Sequence, residues 1–135
     1  MPSRPPIEQS MTFLYSDDLE AHAAFYRDVL ELEQVLDQGV CRIFRVTETS
    51  FLGVCNKANR PRGTKGMMFT FLCEDVEAMH ASLVAKGVMF DAPPDMRGGK
   101  TVYSAFFRDP VGYWLEIQEF RDPRWPYPNG RKAKT

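Results

Sequence analysis

Glu116 is the side chain with the clearest chemical potential. It sits in Tyr113-Trp114-Leu115-Glu116-Ile117-Gln118, a run that reads as a strand. Period two places Trp114 and Gln118 on the face of Glu116 and Tyr113, Leu115 and Ile117 on the other. A carboxylate among apolar neighbours is partly desolvated. That raises its pKa and suits a general base or an anchor for a cationic group. His22 and His80 both fall inside helical patterns and are expected to pack or face solvent rather than react. Cys41, Cys55 and Cys73 are widely spaced, with no CxxC and no adjacent base. Buried thiols are expected, without a disulfide framework, in a reducing cytoplasm. Met96-Arg97-Gly98-Gly99-Lys100 lacks the strand–loop–helix context of a phosphate loop. It reads as a surface loop, with a mobile lid as its functional alternative.

The elements that position these residues follow from periodicity. Residues 1–9 form a polar, proline-rich tail. Ser10–Ser16 reads as a strand. Asp17 is placed to cap a helix over 18–30, with Glu20 three residues on as its partner, and Leu19, Ala23, Tyr26 and Leu30 recur at helical spacing. Strands follow at 32–37, 40–47 and 50–56. The basic segment 57–66, with its Gly and Pro, reads as a linker. A fifth strand then runs from Gly66 to Cys73, and Glu74-Asp75-Val76-Glu77 opens a second helix ending near Gly87. Three more strands are expected near 88–91, 101–108 and 112–119. Residues 120–135 form a tail that frays from 129, with Trp125 and Tyr127 placed to cover a cavity mouth or a partner subunit.

The two halves repeat. Asp18-Leu19-Glu20-Ala21 matches Asp75-Val76-Glu77-Ala78 at an offset of 57 residues, and the same offset pairs Met11 with Met68. Each half runs strand, helix, three strands. One such unit leaves a sheet face uncovered. The expected fold is therefore α+β: two βαβββ modules, 10–56 and 67–119, pairing into a curved mixed sheet around a cavity, with the helices outside. Such a cavity can hold a small molecule.

Composition excludes other classes. The chain has 135 residues, 44% hydrophobic and 26% charged, which is ordinary for one globular domain. Its formal charge is −1, so no electrostatic footprint for nucleic acid is expected. The longest apolar run, 67–73, is far shorter than the roughly 20 residues of a membrane helix. The opening Met1-Pro-Ser-Arg-Pro-Pro has no apolar stretch, so no secretory signal is expected.

Three motifs in order resemble the vicinal oxygen chelate superfamily, which includes glyoxalases, bleomycin-resistance proteins and extradiol dioxygenases. They are Asp18-Leu19-Glu20 through Ala24-Phe25-Tyr26-Arg27-Asp28-Val29-Leu30, then Glu74–Ala78 with Lys86-Gly87-Val88. The third is Phe106-Phe107-Arg108-Asp109-Pro110-Val111-Gly112-Tyr113-Trp114-Leu115-Glu116-Ile117. The likeness covers residues 10–120.

The resemblance implies where a divalent metal would be held: one side chain from each of four strands, usually His, Glu or Gln. Those positions fall on Met11, on Leu52 or Gly53, on Met68 and on Glu116. A single carboxylate does not hold Zn²⁺, Ni²⁺, Fe²⁺ or Mn²⁺, which need three or four protein ligands. No cofactor is therefore expected; a divalent metal enters only if this placement has slipped. The resemblance then implies a homodimeric, bleomycin-resistance-like protein that binds a small aromatic or cationic molecule. Met11, Phe13, Leu52, Met68, Tyr103, Trp114 and Gln118 line the expected cavity, with Phe13, Tyr15, Tyr103 and Trp114 as a flat aromatic platform. The alternative is a lyase or isomerase with Glu116 as general base or metal ligand. A purely structural or regulatory dimer is the third reading.

Overall fold

The structure, a computed structural model, describes residues 3–135. The first two residues of the N-terminal tail lie outside the described range. The chain divides into two compact units, one ending at Gly63 and the other starting at Thr64.

The first unit runs β1 (Ser10–Tyr15), α1 (Leu19–Ala24), β2 (Glu33–Asp37), β3 (Cys41–Thr47) and β4 (Ser50–Cys55). The carboxylate of Asp18, not of Asp17 as the sequence suggested, accepts from Ala21 N–H at 3.1 Å and so caps α1. The helix widens into a π turn over Phe25–Val29. The sheet order is β1-β4-β3-β2, with β1 parallel to β4 and the other pairs antiparallel. Leu14, Phe44, Leu52 and Val54 alternate onto one sheet face and are fully buried, as are Ala23 and Tyr26 of the helical segment.

The second unit repeats this plan. It runs β5 (Met68–Leu72), α2 (Val76–Ala85), β6 (Asp95–Arg97), β7 (Val102–Arg108) and β8 (Trp114–Phe120), in sheet order β5-β8-β7-β6. Asp75 caps α2 through Ala78 N–H at 3.0 Å, as Asp18 caps α1. Buried Glu119 ties α2 to the sheet by accepting from Val76 N–H at 3.1 Å. Leu83, Phe107, Leu115 and Ile117 are fully or almost fully buried. Between β7 and β8, Oδ1 of Asp109 accepts from the N–H groups of Val111, Gly112 and Tyr113 at 2.9–3.0 Å. Gly112 has φ +108°, a backbone state that side chains resist. That is the physical content of the Asp-Pro-x-Gly turn.

The α+β class and the two βαβββ modules match the sequence expectation. The strands form two four-stranded sheets, neither closed into a barrel.

Three expectations are corrected. The strand expected at 88–91 does not form. That segment is tied to β7 by Asp91 N–H, which donates to Phe106 O at 3.0 Å. Pro93 and Pro94 then remove two ladder donors, and regular pairing starts only at Asp95. Met96 and Arg97 belong to β6 rather than to a lid; Gly98, Gly99 and Lys100 make the hairpin turn, all at positive φ. The C-terminal segment does not fray from 129. Trp125 stacks on Phe120 at 3.9 Å, Arg131 lies 3.5 Å from the Tyr127 ring, and Lys134 reaches Glu119 at 3.5 Å.

The cysteines give a fourth correction. Cys41 and Cys55 are joined as a disulfide. They are opposed across β3 and β4, with Cα atoms 4.1 Å apart. The neighbouring pair carries the Asn56 N–H to Val40 O bond, so Cys41 and Cys55 occupy the closer, non-hydrogen-bonded kind of pairing. Wide spacing in sequence concealed a direct cross-strand contact. Cysteine usage thus gives no reason to place the chain in a reducing compartment. Among the described residues no helix is long and apolar enough to cross a membrane.

Candidate functional site

Each sheet packs its helix on one face and leaves the other free of helix. In the first unit the helix-free face carries Met11, Phe13 and Tyr15 of β1, with Phe51, Gly53 and Cys55 as their β4 partners. A pocket of about 510 Å³ opens there, lined chiefly by Met11, Phe13, Leu36, Ile43 and Phe51, with Gln9 and Gln38 among its few polar groups. Met11 is 44% exposed and Phe13 39%. Exposed apolar side chains on a concave surface are a feature that ligand grooves and protein interfaces share.

In the second unit the helix-free face carries Met68, Thr70 and Leu72 of β5, opposite Trp114, Glu116 and Gln118 of β8. Glu116 is 6% exposed. One carboxylate oxygen accepts from Thr70 Oγ1 at 2.7 Å and the other from Gln118 Nε2 at 2.8 Å. Both oxygens are therefore held in a fixed orientation. Thr70 was missed in the sequence, although it follows Met68 at period two and so shares its face.

The site residues expected from sequence divide accordingly. Met11 and Phe13 line the first pocket; Met68, Trp114, Glu116 and Gln118 share one face of the second sheet. Two do not join them. Leu52 is fully buried on the helix side with Phe44, because its strand neighbour Gly53 takes the other face. Tyr103 also lies on the helix side: its hydroxyl donates to Glu77 of α2, and Arg121 lies 4.9 Å from its ring. The expected aromatic platform is thus not assembled. Tyr15 shares the face of Phe13 but does not line the pocket. His22 is fully buried beside Tyr26, and His80 packs 4.4 Å from Phe90. Burial pushes the remaining free thiol, Cys73, up to about 11, which makes it a poor nucleophile at neutral pH.

Register settles which residue matches Glu116. Thr70 pairs with Glu116, and its repeat mate Phe13 pairs with Gly53. The position is therefore Gly53, which has no side chain. A Cβ placed there would lie 2.7 Å from the Phe13 ring and 3.1 Å from Ile43 Cδ1. The Phe13 ring lies where a ligating side chain would have to start.

The family model described as Glyoxalase/Bleomycin resistance protein/Dioxygenase superfamily matches residues 9–117. The chain belongs to this superfamily. No curated protein matches it. Among solved structures, a lactoylglutathione lyase from Agrobacterium tumefaciens is 27% identical with a TM-score of 0.69, covering 84% of this chain and 94% of its own. A glyoxalase/bleomycin resistance protein/dioxygenase from Nocardioides is 20% identical with a TM-score of 0.72, covering 94% and 91%. A virulence protein from Salmonella typhimurium is 19% identical with a TM-score of 0.70, covering 87% and 99%. The last two likenesses speak to the fold.

The donor set at the superfamily's metal positions does not suit a hard or borderline divalent cation. The first module offers the thioether of Met11 and the bare Gly53. The second offers the thioether of Met68 and the carboxylate of Glu116, already engaged by Thr70 and Gln118. Among the described residues no group of three or more His, Cys, Asp or Glu is arranged to hold a metal ion.

Proposed function

We propose that this protein binds a small aromatic molecule in a cavity that has lost the superfamily's metal site. The observation that carries the reading is the replacement at Gly53. The Phe13 ring fills the space of a ligating side chain and forms the wall of an apolar pocket with Met11, Ile43 and Phe51. An aromatic wall rewards a flat apolar ligand by burying its surface, at roughly 25 cal/mol per Å². The cationic ligand expected from the resemblance drew on Glu116 as an anchor and on an aromatic platform that is not assembled. Both Glu116 oxygens already accept hydrogen bonds, so that half of the expectation has less support. On this reading the protein acts by sequestration, needs no catalytic set, and works as a small-molecule-binding homodimer.

The lyase or isomerase reading keeps one supporting observation. Glu116 is a buried carboxylate held by two hydrogen bonds, and an ionised carboxylate retains further acceptor sites for a substrate proton. The likeness to a lactoylglutathione lyase points the same way.

Isothermal titration with 2-naphthamide, a neutral flat aromatic, separates these readings. Saturable binding that weakens about tenfold in Phe13→Ala is expected, since that change removes the pocket wall. Absence of saturable binding, or full retention in Phe13→Ala, contradicts the proposal.

A further inference from the structure

The second sheet carries a feature with no counterpart in the first. The 57-residue offset that relates Phe13 to Thr70 becomes 63 residues between Gly53 and Glu116. Register locates the difference. Asp95 pairs with Ser104, whose mate in the first module is Cys41, one step from the tip of the β2–β3 hairpin. The second module's hairpin is therefore longer by about three residues on each strand. Arg97 stands on this extension.

Arg97 is held in one posture. Its Nε donates to Ser104 Oγ at 3.2 Å, and Ser104 is fully buried. Its guanidinium lies over the Phe106 ring at 4.9 Å. Ser104 and Phe106 face the same side of the sheet as their partners Gln118 and Glu116. The Nε and the flat face of Arg97 are thus committed, and the edge formed by its two Nη atoms is not. No carboxylate among the described residues pairs with it. Arg108 stands two residues beyond Phe106, opposite Trp114, with its guanidinium 3.8 Å from the Trp114 ring. It donates to Gly112 O and pairs with no carboxylate among the described residues. Two acids share this face by register: Glu116 is occupied by Thr70 and Gln118, and Asp95, opposite Ser104, accepts from Met96 N–H at 2.8 Å.

We propose that the helix-free face of the second module binds the carboxylate of an aromatic acid, with the free Nη edge of Arg97 as its anchor. An immobilised guanidinium with its fork open matches the two oxygens of one carboxylate and loses little entropy on engaging it. Met68, 47% exposed, supplies apolar surface for the ring on the same face, beside the Trp114 ring that Arg108 covers. Arg108 adds positive charge without entering the fork. This face is a surface of the second module, separate from the Phe13 pocket of the first, so the inference goes beyond the binding reading proposed above.

The test titrates three near-isosteric probes into the purified full chain: 2-naphthoate, 2-naphthamide and 2-naphthylmethylammonium. Naphthoate is expected to bind about tenfold more tightly than naphthamide, and the ammonium most weakly. Arg97→Gln brings naphthoate to the affinity of naphthamide and leaves naphthamide within twofold. Arg97→Lys, which keeps the charge but not the fork, recovers only part of the preference. Ser104→Ala, which frees Nε, weakens naphthoate by a smaller factor. Thermal unfolding and near-ultraviolet circular dichroism establish that each variant is folded. Equal affinity for naphthoate and naphthamide in the unaltered protein, or a preference for the ammonium, overturns this inference and leaves the binding reading standing. A naphthoate preference that survives Arg97→Gln also overturns it. Binding of none of the three overturns both.

Discussion

Gly53 is where a single residue type changes the chemistry of the fold. Its missing Cβ lets the Phe13 ring lie against the strand, and that ring then becomes a pocket wall. Gly53→Ala should therefore be costly, since the new methyl group meets Phe13 at 2.7 Å and Ile43 at 3.1 Å. We expect a loss of about 1–3 kcal/mol, read as a lower urea midpoint with an unchanged slope. In a Phe13→Ala background the same substitution should cost measurably less, because its main clash is gone. An unchanged midpoint in the first background would show that Phe13 moves aside freely and does not define the wall. The face of Glu116 was legible in sequence because Trp114–Gln118 alternates cleanly. The choice between Leu52 and Gly53 was not, since both lie in an apolar run and only pairing with Phe13 and Ile43 separates their faces.

At the scale of elements, the hairpins hold what periodicity did not show. The helices were legible from helical spacing behind their acidic openings, although the first cap falls on Asp18 and not on Asp17. So was the β7–β8 turn, where Asp109 collects three backbone donors. The β6 region was not, because Pro93 and Pro94 displace pairing along the chain and the hairpin outgrows its repeat mate. The β3–β4 hairpin carries the Cys41–Cys55 disulfide, which closes a loop with a sequence separation of 14. Closing a loop of this length stabilises by about 2–4 kcal/mol through the unfolded state. Thiol titration in denaturant without reductant should find one free thiol, Cys73, and three after reduction. Reduction should also lower the thermal midpoint. Three free thiols before reduction would contradict the pairing.

The whole molecule is a duplicated βαβββ plan whose copies have diverged at positions that matter for chemistry. Repeat positions that hold ligands in metal-dependent members, by the resemblance read from sequence, hold Met11, Gly53, Met68 and Glu116 here. The duplication was legible because the 57-residue offset persists from the first strand through the helix. The divergence was hidden because the offset then changes to 63, and sequence matching at a constant offset fails beyond that point. The central claim is that this cavity works without a metal. The direct measurement is metal content per chain after incubation with Ni²⁺, Zn²⁺, Mn²⁺ and Fe²⁺ and desalting, read by elemental mass spectrometry beside Glu116→Gln. The account predicts well under about one tenth of an equivalent for every ion, with no difference between the two proteins. Close to one equivalent of a single ion, lost in Glu116→Gln, would contradict it and make metal-assisted catalysis the leading reading.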